Sequence, residues 1–568
     1  MARITITVDG QAVRAEEGQN VLEAAQAAGI DIPSLCHHPD VAASGPCGLC
    51  LVAVKGREGL VRACETAAEE GLEVVSESPE IAAARRTNMD AVLDSHVLEC
   101  PDCVLFQRCR LLQMVQRLGG KPKTARGGEP VTASDVIEFD AAKCIGCGHC
   151  AAVCPTGYLE MGPDGKVRIA DGDKDCINCG QCIVHCPVGA IEGDGEFEEL
   201  AGLESLLKEG GKTVVIQFAP AVRASIGEEF GLPPGEVTTG RLVAGLKEAG
   251  FRYVFDTAVG ADFTTMEESD ELIERVSSGR NLPAMSSCCP AWVKFLELEY
   301  PEMLPSLCTS RSPQVMLGGI LKSDWAVREG LNPDDVFVVS VMPCVAKKFE
   351  VSREEMRIDG RLPVDMVLTV REAARFMKRH KVDLKSIGEA AADNPYGEPS
   401  GAGVIYGASG GVFESALRTA YFKMMGEEMP DGAVREIRGT APGVKRQEIK
   451  IGDRTVRVAV VSGLSAVREV LREIKEDPKA YDAVEVMACP GGCVGGGGQP
   501  MPMDREAVRR RAESLYAIDA GLPTRRAHEN PSVKEAYAGF FADADVRKKV
   551  LHTGYGPRRK SPVRRLKP

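Results

Sequence analysis

Closely spaced cysteines are the residues of this sequence most able to do chemistry. In Met487–Gln499, MACPGGCVGGGGQ, Cys489 and Cys493 stand four residues apart among six glycines. A turn needs one or two glycines to reach positive φ. Six suggest a backbone pressed against something bulky that is not protein. The chain holds 21 cysteines. Their odd number and CxxC spacing argue against disulfides, as does an N-terminus, MARITITVDG, without the apolar stretch of an export signal. The chain reads as cytoplasmic, and there such cysteines are metal ligands or reactive thiols.

The cysteines fall into groups. Cys36, Cys47, Cys50 and Cys64 resemble plant-type 2Fe-2S ligands, with gaps wider than the usual plant spacing; zinc is the alternative. Gly45 and Gly48 would let that loop close around a cluster. HVLECPDCVLFQRC supplies His96, Cys100, Cys103 and Cys109. His96 and Cys100, at i and i+4, are expected on one helical face. One His and three Cys could hold zinc or a 4Fe-4S cluster, and the context favours the cluster. Then comes a repeat, CIGCGHCAAVCP from Cys144 and CINCGQCIVHCP from Cys176. Each is the bacterial ferredoxin run, whose fourth cysteine crosses to the other cluster. Cys144, Cys147, Cys150 and Cys186 should hold one 4Fe-4S cluster. Cys176, Cys179, Cys182 and Cys154 should hold the second. One 2Fe-2S and three 4Fe-4S clusters would make an electron wire, and a wire needs a terminus. Cys288, Cys289, Cys308, Cys344, Cys489 and Cys493 remain for it.

The elements that position these groups change along the chain. MARITITVDG alternates like an edge strand. A Gly/Pro-rich linker, GGKPKTARGGEP, spans Gly119–Pro130. From about residue 201 short β-branched runs alternate with helical stretches: TVVIQF, YVFDT, VFVVSVM, GVIYG, VRVAVV and AVEVM. They read as strands of a largely parallel α/β sheet. TVVIQF leads to Ala219-Pro220, VFVVSVM to Pro343-Cys344 and AVEVM to Cys489, where ligands bind in open α/β sheets. SSCCPAW instead precedes a helix expected near Trp292. A net charge of −13 excludes a broad nucleic-acid face. No run is long enough for a membrane span. The tail RRKSPVRRLKP reads as solvated, or as a dock for an acidic partner.

SSCCPAW, MPCVAKKFE and MACPGGCVGGGGQ resemble the three signature motifs of FeFe-hydrogenases, and the accessory part is similar to the long clostridial form. The likeness runs from Cys36 to AHENP and LHTGY. It implies an α+β multidomain chain. Its parts would be a β-grasp 2Fe-2S domain (1–78), a small helical His/Cys cluster domain (79–125) and a ferredoxin-like 2x4Fe-4S domain (126–200). A two-lobed α/β H-cluster catalytic domain (201–503) and a C-terminal helical wrap with the basic tail (504–568) would follow. It implies reversible conversion of protons and electrons to H2 at an H-cluster, a 4Fe-4S cube joined to a di-iron unit carrying CO, cyanide and a bridging azadithiolate.

By the same resemblance Cys289, Cys344, Cys489 and Cys493 hold the cube, and Cys493 bridges to the di-iron unit. Lys347 would donate to one cyanide, and Pro220 and Ala221 would meet the other, Ala221 replacing the usual serine. Gln314, Met342, Pro343 and Met487 would flank the cofactor; read without the resemblance, Met342 and Met487 are ordinary core and Lys347 a surface lysine. Cys288 matches the proton donor. Behind it Glu268, Glu271 and Arg275, in MEESDELIER, would relay protons, with Cys308 in place of the family's serine; otherwise they form a solvated charged face. The implied partners are H-cluster maturation enzymes and either ferredoxin or a flavin- and NAD-binding subunit, since no nucleotide fingerprint occurs here. An H2 sensor or iron–sulfur assembly factor on the same domain is the alternative. The cluster-bearing subunit of an NADH or formate dehydrogenase explains only the first part of the chain.

Overall fold

The computed structural model describes residues 3–558 apart from 43–44, 98–99, 101–102, 104, 106–107, 121–130, 173, 194–195, 431 and 502. Most of the expected linker and nearly all of the basic tail therefore lie outside the described residues. Two compact units are present, one formed by residues 1–174 and 185–192, the other by 175–184 and 193–562.

In the first unit, β1 (Arg3–Val8), β2 (Gln11–Glu16), β3 (Leu51–Val54), β4 (Leu60–Arg62) and β5 (Glu73–Val75) form one sheet in the order β2-β1-β5-β3-β4. β1 is an interior strand, antiparallel to β2 and parallel to β5. It was expected at an edge, because alternation reports one buried face and says nothing about which backbone edges are paired. Helix α1 (Val21–Ala27), capped by the Asn20 side chain on the Glu23 amide, buries Val21 and Leu22 with Ile6, Val8 and Val52. Helix α2 (Pro79–Asp94) ends at Ser95. His96 lies beyond it, so His96 and Cys100 do not share a helical face as expected.

The second unit contains two four-stranded sheets. The first orders β7 (Tyr253–Asp256), β6 (Thr213–Phe218), β9 (Val336–Met342) and β10 (Met366–Thr369) side by side, all parallel. β6 is nearly all apolar because both faces are covered. The second orders β8 (Ala284–Met285), β13 (Ala483–Met487), β12 (Arg454–Ser462) and β11 (Gly443–Ile451). β8, β13 and β12 run parallel, and β11 is antiparallel to β12.

Eight helices around these sheets bear on the site: α3 (Ala258–Ser278), α4 (Pro290–Glu299), α5 (Pro313–Ile320), α6 (Ala346–Val351), α7 (Gly401–Ile405), α8 (Gly411–Met425), α9 (Arg505–Gly521) and α10 (Pro531–Ala538). The segment GVIYG, expected as a strand, lies largely in α7. Its small residues serve close packing instead: a Cβ on Gly403 would stand 2.2 Å from the Ala258 carbonyl oxygen, and one on Gly401 2.2 Å from Asp519. Among the described residues no helix is long and apolar enough to cross a membrane.

Candidate active site

Four strands of the second unit end at one cavity. β6 delivers Pro220 and Ala221, β8 delivers Cys288 and Cys289, β9 delivers Pro343 and Cys344, and β13 delivers Cys489 and Cys493. The two-residue β8 has no periodicity to read, so the sequence placed SSCCPAW only before a helix; that helix, α4, starts at Pro290 with Cys289 at its N-cap. Gln314, Met342, Lys347 and Met487 line the same space, as do Thr257 and Tyr406, which the sequence reading did not single out. The cavity volume is about 80 Å³, against roughly 10–15 Å³ needed on the same measure to hold one water.

The thiols fit an iron–sulfur group. Thiolate is a soft ligand for such clusters. Burial pushes Cys344 and Cys493 up to about 12, and Cys489 well above its ordinary range. They would ionise only against a strong local positive charge, which iron supplies.

The six glycines of the Cys489 loop are explained by protein. A Cβ on Gly492 would stand 2.6 Å from the Ser409 nitrogen, and on Gly496 2.0 Å from the Pro343 carbonyl oxygen. On Gly497 it would meet Cys179 O at 2.6 Å, and on Gly498 Cys344 N at 2.7 Å. Gly491 and Gly495 press on Val508 and the Pro490 carbonyl. Protein alone requires them: the loop threads between other backbones, which the sequence reading did not foresee. Gly45 likewise abuts Cys36 and the Cys147 Cα. Arg511 of α9 holds the loop from behind, with Nη1 donating to the Val494 carbonyl at 2.9 Å and Nε and Nη2 to Glu228 at 2.7 Å each.

Lys347 is buried, and its Nζ donates to the Cys288 carbonyl at 3.0 Å and to Glu350 at 2.9 and 3.1 Å. Burial alone would discharge it, but Glu350 outweighs that and keeps its affinity for the proton above the usual range. Glu350 also accepts from Ser312 at 2.8 Å and Gln314 at 2.7 Å. The sequence reading missed Glu350; its signal is the i,i+3 spacing from Lys347 on α6.

Glu268, Glu271 and Arg275 all lie on α3. Glu268 is buried, and burial, then the Glu271 charge, push it up to about 8 against a hydrogen bond from Ser310. Ser310 Oγ donates to its Oε1 at 3.3 Å, while Oε2 has no partner among the described residues. Burial, then the field of Glu268, raise the Cys288 thiol well above its ordinary range, with Lys347 opposing. Cys308 is buried within the fields of both glutamates. Its thiol makes no hydrogen bond to either among the described residues. Arg275 pairs with Glu271 and donates to the carbonyls of Asn281, Ser306 and Leu307.

In the first unit Cys36 and Cys47 sulfurs lie 3.1 Å apart and those of Cys50 and Cys64 3.3 Å. Cys144, Cys147, Cys150 and Cys186 lie within one another's fields, as do Cys103 with Cys109 and Cys109 with Cys100. His96 Nδ1 is 2.7 Å from the Lys143 carbonyl oxygen, which puts the lone pair of the neutral ring on Nε2. Cys154 belongs to this unit, whereas Cys176, Cys179 and Cys182 belong to the second. There Gln181 Nε2 donates to the Gly495 carbonyl at 2.9 Å, and Cys179 lies in the field of Cys489.

A thiol-lined apolar cavity at the carboxyl ends of two α/β sheets, with cysteine groups for further clusters, defines an iron–sulfur redox enzyme. Residues 212–497 match the C-terminal domain of the iron only hydrogenase large subunit, and 505–558 match the iron hydrogenase small subunit. Residues 1–79 match a 2Fe-2S iron-sulfur cluster binding domain and 143–190 a 4Fe-4S dicluster domain. The chain is 38% identical to the NADP-reducing hydrogenase subunit HndD of Solidesulfovibrio fructosivorans, over 99% of this chain and 100% of that one. It is 36% identical to iron hydrogenase 1 of Clostridium pasteurianum, over 97% and 99%. An apo [FeFe]-hydrogenase HydA1 structure from Chlamydomonas reinhardtii aligns with TM-score 0.57 at 36% identity, over 64% of this chain and 98% of that one. The chain belongs to the iron-only, or FeFe, hydrogenases. It is an oxidoreductase that interconverts H2 with protons and electrons, served by an iron–sulfur relay.

Proposed function

We propose that Cys289, Cys344, Cys489 and Cys493 hold the cube of an H-cluster, with Cys493 bridging to its di-iron unit. The observation that carries this is their convergence, with Cys288 and Lys347, on one apolar cavity. The bound group supplies the hydrogen chemistry and its CO, cyanide and azadithiolate ligands. The chain's part is to hold it, exclude water and move protons. Pro220, Ala221, Gln314, Met342, Pro343 and Met487 shape the wall, and Lys347, kept charged by Glu350, presents an ammonium suited to a small anion. Cys288 stays protonated at neutral pH and delivers its proton into the cavity, and Glu271, by way of Glu268, resupplies it; in H2 oxidation the order reverses. Arg275 has no acceptor and does not deprotonate; it positions Glu271. Holoenzyme made with the maturation enzymes should show infrared bands of metal-bound CO and cyanide. Full iron content without such bands would sink this reading.

The accessory ligand sets we propose are Cys36, Cys47, Cys50 and Cys64 for 2Fe-2S; His96, Cys100, Cys103 and Cys109 for 4Fe-4S; and the two crossed ferredoxin sets. The Gln181–Gly495 bond supports the set with Cys179 as the last step before the cube. Domain limits are proposed at 78, 125, 200 and 503, with a β-grasp first domain and a C-terminal helical wrap. Electrons exchange with ferredoxin or with a flavin- and NAD(P)-binding subunit; the full-length likeness to a subunit of an NADP-reducing hydrogenase supports the second. The sensing or assembly reading is not favoured, since Cys288, Glu268 and Glu271 are all in place.

Cys308 gives a direct check on the relay. A hydroxyl donates and accepts better than a thiol between two carboxyls. Cys308→Ser should keep or raise activity, and Cys308→Ala should lower it. Equality of Cys308→Ala with the parent at every pH would make Cys308 a packing residue.

A further inference from the structure

We propose that the proton channel ends at His552, in the C-terminal segment, which Glu271 reaches through the Thr309 hydroxyl. This rests on the proposed relay through Glu268 and Glu271 and extends it to the surface. Among the described residues, the Glu271 carboxylate accepts only from Arg275 and Thr309. Arg275 cannot give up a proton, so the conducting side is Thr309. Its Oγ1 lies 3.3 Å from Glu271 Oε2 and 2.9 Å from His552 Nδ1. His552 Nε2 lies 2.8 Å from Glu267 Oε2. The His552 side chain is 23% exposed, against 13% for Glu271 and 7% for Glu267. The path therefore rises toward solvent.

Backbone pairing builds this contact. Arg311 N donates to the Leu551 carbonyl and Thr553 N to the Thr309 carbonyl, each at 2.8 Å. Residues 551–553 thus run beside 309–311, the loop whose Ser310 reaches Glu268. The ionisable groups facing His552 are Glu267 and Glu271 from α3. Tyr537 of α10 donates to Glu267, and Arg547, on helix α11 (Ala544–Leu551), acts on it electrostatically. Glu267 holds the ring through Nε2.

The transfer balances as follows. The doubly protonated ring of His552 gives its Nδ1 proton to Thr309 Oγ1 while the hydroxyl's own proton passes to the Glu271 carboxylate. Neutral His552, its Nε2–H still on Glu267, takes the next proton from water. During H2 oxidation each step reverses. A ring that merely pinned the C-terminal segment would need none of this, and a diffusible base could not replace it.

The test uses holoenzyme with cofactor content matched by infrared absorption, and follows H2 evolution with and without added imidazole. His552→Ala should slow turnover at least about tenfold, and added imidazole should restore most of the loss. Thr309→Val should show a similar loss, and Thr309→Ser should recover most of it. The proposal is overturned if His552→Ala turns over at the parental rate, or if its loss is unaffected by imidazole. Should His552→Ala not accumulate as holoenzyme, the proposal stands or falls on whether Thr309→Ser exceeds Thr309→Val. Glu271→Gln separates the two readings. A parental rate there would defeat the inner relay, whereas a slow Glu271→Gln beside parental His552→Ala and Thr309→Val would defeat only the exit.

Discussion

Cys288→Ala should lower turnover by about two to four orders of magnitude while the infrared bands of the bound cofactor persist. Cys288 lies on the cavity wall, and in the proposed relay its side chain supplies the first proton delivered there. Alanine removes the donor without removing any of the four proposed cube ligands. Cys288→Ser should be nearly as poor, because a hydroxyl is far less acidic than a thiol. Turnover of either variant above a tenth of the parent, at equal cofactor content, would route the proton elsewhere.

Glu268→Gln should have opposite effects on rate and stability. A glutamine cannot pass on a net proton, so turnover should fall by at least about a hundredfold. Stability should move the other way in a defined pH window. The folded carboxyl titrates near 8 rather than near 4.5, so the folded state holds a proton that the unfolded chain has released. The resulting destabilisation is absent below pH 4.5 and grows as pH rises toward 8, where it reaches roughly 4 kcal/mol. The amide does not titrate, so Glu268→Gln should melt higher than the parent at pH 8 and with it at pH 4.5. Equal melting at both pH values would mean that Glu268 is not held protonated by burial. The residue is thus kept at a cost in stability, as expected of a buried group with a task.

Much of the cavity lining was legible because its cysteines come as motifs. The four pocket cysteines, Lys347 and the α3 glutamates were all found from spacing and likeness. What stayed hidden depends on contacts far apart in sequence. Glu350 looks like an ordinary helical glutamate until Lys347, Ser312 and Gln314 converge on it. Thr309 and His552 are 243 positions apart, and no local pattern links them. The strand β8 is too short for periodicity. The protein contacts that require the glycines stayed hidden, because sequence shows that a backbone must approach closely without showing what it approaches. GVIYG failed for a related reason: its small residues fit a helix pressed on α3, although their β-branched neighbours favour a strand.

The division at residues 174–175 bears on how such enzymes can be recombined. The second CxxCxxC run stays whole but is parted from its fourth cysteines: Cys176, Cys179 and Cys182 belong to the catalytic body, and Cys154 and Cys186 do not. Gly180 abuts Gly497, and Gln181 binds Gly495. An exchange of electron-carrying modules between homologues that splices near residue 200 would therefore carry away part of the catalytic body's own packing. A chimera that keeps 175–184 from the catalytic parent, together with the rest of that parent's body, should tolerate foreign accessory segments better than one spliced at the apparent sequence boundary.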